Sequence, residues 1–148
     1  MFRLSTKVRY GTRVMLELAL NYGEGHTLLK DIARKQDISV GYLEQIMPSL
    51  KAAGFIHSSR GAHGGYTLAR LPEEITLSEI FGSLEGPISL VECINSPEVC
   101  DRADFCVTRD LWDEVSENVD ATLRSKSLQD LVDKHKNKQK SRSLMYSI

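Results

Sequence analysis

Long hydrophobic runs are missing from this sequence. No apolar stretch approaches the roughly 18 residues of a membrane span, so a membrane protein is not expected. The opening residues Met1-Phe2-Arg3-Leu4-Ser5 lead into no apolar core with a small-residue cleavage site, which predicts no secretion signal and a cytoplasmic location. A Ser/His/Asp or Cys/His grouping, a P-loop and a dinucleotide fingerprint are absent as well, and an enzyme is not expected. Cysteine is scarce: Cys93, Cys100 and Cys106 are an odd set that cannot all pair within one chain. In a reducing compartment such a cluster reads first as metal ligands or redox groups.

What is present is a chain of 148 residues, 41% hydrophobic, enough for one cored domain or a domain with an appendage. Its net charge of −1 conceals a strong asymmetry. Residues 1–70 carry ten Lys/Arg against five Asp/Glu, residues 71–132 four against fourteen, and residues 133–148 five against one. The first part is basic enough to approach a polyanion; the middle is not.

Helical spacing is clear in the first half. Residues 6–22 lack proline and place Val8, Met15, Leu18 and Tyr22 on one side, with Gly23 to end the helix. Thr27 can N-cap a short second helix and Ser39 a third, whose buried stripe is Leu43, Ile46, Met47 and Leu50. Pro48 falls inside this third helix and predicts a kink or an early loosening of its last turn. Two short helices across a polar turn form a helix-turn-helix. Phe55–Arg60 and Tyr66–Arg70 then flank the turn Gly61-Ala62-His63-Gly64-Gly65, a β-hairpin. The fold class is therefore mainly α with a small β-hairpin wing: a winged helix-turn-helix.

Thr76 and Glu79 predict a capping box for a helix carrying Leu77, Ile80, Phe81 and Leu84, stopped by Gly86-Pro87. Residues 88–107 have no clear period. A long helix begins at Thr108 with Leu111, Trp112, Val115, Val119 and Leu123 along one side. A further helical piece runs from Leu128 to about Lys134. These readings divide the chain into a DNA-binding domain at 1–86, a cysteine-bearing loop at 87–107, helices at 108–134, and a basic tail at 135–148 expected to be disordered.

The solvent side of the third helix offers Ser39, Tyr42, Glu44 and Gln45. Gln can pair with an adenine edge and Glu can accept from a cytosine amino group. Tyr42 can reach a phosphate or sugar. Gly61, Gly64 and Gly65 permit close approach at the hairpin tip, Arg60 can enter a minor groove, and His63 completes the candidate DNA-contacting set. The cysteine spacing C-x6-C-x5-C in a non-periodic stretch lets three thiolates converge, which suits zinc or an iron–sulfur cluster. Free thiols are the alternative. No histidine lies nearby, so a fourth ligand would be a carboxylate such as Glu92, Glu98, Asp101, Asp104 or Asp110, a water, a small molecule, or a residue from elsewhere.

Taken together, these residues resemble the IscR/NsrR-type iron–sulfur regulators from Met1 to about Arg124. The resemblance rests on Arg3-Leu4-Ser5-Thr6-Lys7 leading into Arg9-Tyr10, on Ile38–Ile46, on Ser59–Leu68, and on the three cysteines. It implies a homodimer on double-stranded DNA with dimerisation helices at 108–134, the Thr108 helix crossing its partner and Leu111, Trp112, Val115, Val119 and Leu123 at the interface. It also implies an iron–sulfur cluster on Cys93, Cys100 and Cys106, [2Fe-2S] favoured over [4Fe-4S], whose occupancy alters DNA binding. Three departures stand out. IscR-type members carry a histidine where this chain has Arg109, NsrR-type members an acidic residue at the position matching Arg9, and glycine or proline-glycine is commoner at His63. Two rivals remain at this point: the same fold sensing through thiols or a small molecule without a cluster, and an iron–sulfur carrier or scaffold that does not bind DNA.

Overall fold

The computed structural model describes residues 3–62 and 64–147; His63 lies outside the described residues. The elements follow in chain order: α1 (Thr6–Leu20), α2 (Leu29–Gln36), α3 (Val40–Ala52), β1 (Ile56–Ser59), β2 (Gly65–Leu68), α4 (Leu77–Glu85), α5 (Glu92–Asn95), α6 (Val107–Arg124) and α7 (Leu128–Tyr146). Three single 3-10 turns lie at Pro72–Glu74, Pro97–Val99 and Ala103–Phe105. No described helix is long and apolar enough to cross a membrane.

One core joins nearly all of these elements. Val14, Met15 and Leu18 of α1 meet Ile32, Leu43, Ile46, Leu50, Ile56, Ile75 and Ile80, and Leu128 and Val132 of α7 close the far side. The expected 3.6-residue stripe of α3 is the stripe that is buried. Ser39 caps α3 by accepting from the Tyr42 amide at 3.1 Å. The Thr76/Glu79 capping box forms at α4 in both directions. The strands pair antiparallel, Ile56 with Leu68 through Ser59 with Gly65. The winged helix-turn-helix is thus observed as its residues predicted.

Three local expectations are corrected. Thr27 does not cap α2, whose N-cap is Leu28 without a side-chain bond. Its backbone instead pairs with Tyr66 in both directions, at 2.9 and 2.8 Å, tying the hairpin to the approach to α2. Pro48 does not loosen the last turn of α3: the helix is continuous to Ala52, with Pro48 on its exposed side, where the unpaired carbonyl of the preceding turn can meet water. The tail expected to be disordered continues α7 to Tyr146. Its lack of proline and glycine, its content of good helix formers, and a first turn nucleated by the Ser127/Asp130 capping box decide otherwise.

The chain leaves the winged helix after α4 and comes back. Ile75 accepts from the Leu128 amide at 2.8 Å and Lys126 from that of Leu77 at 2.9 Å, so α7 docks beside the start of α4. Between these points α6 rests on α4, and Ser116 is its one buried residue. Ser116 Oγ donates to the Trp112 carbonyl and accepts from the Leu90 amide at 3.0 Å, pinning the incoming loop.

Candidate nucleic-acid interface and cysteine segment

Recognition requires α3 to be held rigidly with one side free. Leu43, Ile46, Met47 and Leu50 anchor it, while Ser39, Glu44 and Gln45 are exposed. Tyr42 is half-buried, its ring set edge-on to Tyr10 of α1 at 5.5 Å between centroids. Arg9 and Arg13 stand over the same Tyr10 ring at 5.7 and 5.4 Å, a cation–π arrangement that keeps positive charge beside the head of α3.

The turn between α2 and α3 is clasped to α1 by polar groups that residue spacing had not singled out. Arg13 Nε donates to Gln36 Oε1 at 2.7 Å, and its Nη2 donates to the Gln36 carbonyl. Gln36 Nε2 donates to Glu17 Oε1 at 2.6 Å, and Lys35 Nζ lies 3.6 Å from Glu17 Oε2. Glu17 is 8% exposed, so this carboxylate is a buried anchor with two partners. The readable signal was a lone acid inside the apolar run Val14-Met15-Leu16-Glu17-Leu18.

At the wing, Arg60 and Gly61 are exposed, whereas Gly64 is buried. A Cβ on Gly64 would meet the Ser59 carbonyl oxygen at 2.5 Å, and one on Gly65 the Thr27 oxygen at 2.6 Å. These two glycines therefore permit backbone-to-backbone approach inside the wing and between the wing and the helix-turn-helix. Gly61, at φ +103° with open space around it, makes the turn itself. Further stitches are Lys51 Nζ donating to Ser58 Oγ at 2.7 Å and the contact of Ser59 Oγ with His26 Nε2 at 3.4 Å.

The cysteine segment is a chain of single turns. Cys93 lies in α5, Cys100 follows the Pro97–Val99 turn, and Cys106 is the N-cap residue of α6. All three are free, half-buried thiols. Thr108 Oγ1 lies 3.1 Å from Cys106 Sγ. The Thr108 hydroxyl first, and then the Arg109 amide, hold the Cys106 thiol below the ordinary thiol range, where thiolate character is favoured. Arg109, at the histidine position of IscR-type chains, donates from Nε to the Cys93 carbonyl at 3.0 Å and so binds α5 to the start of α6. Thiolates are the right donors for iron–sulfur chemistry. Among the described residues, however, no three His, Cys, Asp or Glu side chains are gathered closely enough to hold a metal ion.

On α6, Leu111 and Trp112 are 48% and 41% exposed, and Val115, Val119 and Leu123 are half-buried. Val119 and Leu123 also line a largely apolar groove of ≈ 450 Å³ with Leu4, Val8, Leu77 and Phe81. A monomer thus shows water a connected apolar surface running from α6 to the start of α1.

A helix-turn-helix with one exposed face on α3, a glycine-turned hairpin at once behind it, and a long helix leaving the domain define a winged-helix regulator of the DNA-binding class. Residues 4–134 match the Rrf2 family model, described as iron-dependent transcriptional regulator, and the chain belongs to the Rrf2 family. It is similar to the protein rrf2 of Nitratidesulfovibrio vulgaris, 40% identical with 88% of this chain and 87% of the relative covered. The solved structure of CymR, the global cysteine regulator of B. subtilis, is 43% identical, with 90% of this chain and 98% of that chain covered and a TM-score of 0.75. T. potens IscR superposes with a TM-score of 0.78 at 36% identity, covering 93% of this chain and 91% of that one. The expected IscR-like membership is thereby shown, and with it a transcription regulator of the winged-helix type.

Proposed function

We propose that the protein is a cytoplasmic, homodimeric regulator that reads a palindromic or near-palindromic DNA site and takes its signal through the cysteine segment at 87–107. It acts by binding and not by catalysis. The observation that carries this reading is α3: its apolar stripe is buried to the last residue while Ser39, Glu44 and Gln45 face solvent, directly ahead of the wing. Tyr42, Glu44 and Gln45 would meet base edges and phosphates in the major groove. Arg60 and the turn Gly61–Gly65 would follow the adjoining minor groove. Leu111, Trp112, Val115, Val119 and Leu123 would pack across a two-fold axis. Two reading helices then stand about one DNA turn, roughly 34 Å, apart. The test is selection of binding sites from a random duplex pool. A two-fold symmetric consensus is expected, relaxed at defined positions by Gln45→Ala; binding without sequence preference would overturn the reading.

How the signal enters divides into two readings. A [2Fe-2S] cluster on Cys93, Cys100 and Cys106 is supported by three thiols within one short segment and by the iron dependence in the family's description. Among the described residues no metal-ion site is gathered, and no step of the function is routed through a cluster. The lowered Cys106 thiol and the similarity to a cysteine regulator favour the second reading, in which the thiols or a small sulfur compound carry the signal directly. Anaerobic purification and reconstitution decide between them. Iron, sulfide and visible absorption lost in Cys93→Ala, Cys100→Ala and Cys106→Ala support the cluster, and a colourless, iron-free protein removes it.

A further inference from the structure

The Rrf2 match ends at Lys134, but α7 runs on to Tyr146. From Lys134 onward the chain holds Lys134, Lys136, Lys138, Lys140 and Arg142 and no acidic residue. Every residue from Lys136 to Ser147 is exposed. At 1.5 Å per residue, Lys136–Tyr146 projects roughly 16 Å past the last half-buried position, His135. Lys134, Lys138 and Arg142 follow one another down one side of the helix with Asn137 and Ser141 between them, and Lys136 and Lys140 fall on the other side by helical spacing. Like charges four residues apart disfavour a free helix. A polyanion laid along it removes that repulsion.

We propose that this arm is a second DNA contact, lying along the phosphate backbone and adding affinity that is independent of sequence. The proposal rests on the reading that the chain binds duplex DNA. A membrane surface fits less well, because an interfacial helix needs an apolar face, and residues 134–143 contain no apolar residue at all. Leu144, Met145 and Tyr146 come only at the tip. The acidic 71–132 stretch of a second copy offers scattered carboxylates, whereas duplex DNA offers an unbroken row of phosphates at a spacing that several cations can follow together.

The test compares the full-length protein with a variant carrying Lys136→Gln, Lys138→Gln, Lys140→Gln and Arg142→Gln, using random-sequence duplex and a selected site across a salt series. Glutamine keeps helix propensity, and circular dichroism verifies retained helix content; a second variant with the three lysines changed to arginine keeps the charge. Each phosphate contact contributes about 0.9 to the slope of log affinity on log salt. The glutamine variant is expected to lose about 2 from that slope and roughly tenfold to a hundredfold in affinity near 0.1 M salt, by the same factor on both duplexes, while the arginine variant matches the parent. An unchanged slope in the glutamine variant overturns the arm and leaves recognition by α3 intact. Failure of the parent protein to bind any duplex at low salt overturns the DNA reading and the arm with it. Arm-dependent binding to vesicles of phosphatidylcholine and phosphatidylserine, with the DNA slope unchanged, assigns the arm to membranes and overturns the proposal.

Discussion

Single residues set how firmly the helix-turn-helix is held. Glu17 is buried and accepts from Gln36 while pairing with Lys35. Glu17→Ala removes the acceptor and leaves the Gln36 amide facing a partly closed site, which costs about 1–3 kcal/mol. Urea denaturation should show that loss, and DNA affinity should fall alongside it because Gln36 borders the turn into α3. A loss of stability without any effect on DNA binding would mean that the clasp does not orient α3. Gly65 is constrained differently. Its φ of +137° and the Thr27 oxygen 2.6 Å from any Cβ leave no room for a side chain. Gly65→Ala must open the Thr27–Tyr66 bridge or strain the backbone, at about 1–3 kcal/mol. Amide exchange at Thr27 and Tyr66 should accelerate in this variant, and slow exchange at both would refute the steric account.

At the scale of elements, capping decides boundaries and carries a pH dependence. Burial raises the Glu79 carboxyl, but the Thr76 amide and then the Arg70 guanidinium outweigh it, so its pKa lies below the ordinary value of 4.5. A carboxylate depressed by folding contributes stability above its unfolded pKa and loses it as pH falls through the folded one. Thermal unfolding from pH 7 down to pH 3 should therefore drop more steeply for the parent than for Glu79→Gln, with the two converging in acid; parallel curves would exclude the capping carboxylate. The same box was legible in the sequence, because Thr76 and Glu79 sit three apart before an apolar stripe, and Ser39 announced α3 in the same way. Thr27 had the right chemistry for a cap but pairs with Tyr66, a partner almost forty residues on that local spacing cannot reveal. Likewise the cysteines announced a common segment but not its fold: α5 and two 3-10 turns shape it, and the Arg109–Cys93 bond closes over sixteen positions. Periodicity reports which side of an element is buried. It is silent on which distant backbone or polar group meets it.

At the scale of the whole molecule, α6 stands out among the described residues for the apolar side chains it leaves exposed. Its core is complete around α1, α3, α4 and the first turns of α7, yet α6 contributes one buried residue and exposes Leu111 and Trp112. A second copy crossing at α6 would cover this stripe and fix two recognition helices in one frame. Linked half-site binding turns the second contact into an intramolecular step, a gain of about 10²–10⁴ in avidity when the geometry allows both. Trp112 is well suited to test this because it is exposed in the single chain, so a charge there disturbs no core of the monomer. Trp112→Glu should sediment as a monomer with unchanged helix content and lose about two orders of magnitude or more of affinity for a two-half-site duplex. Its binding to an isolated half-site should match the parent's, since α3 and the wing are untouched. A variant that remains dimeric and binds the full site normally would move the two-fold axis away from α6, and the apolar surface there would then need another occupant.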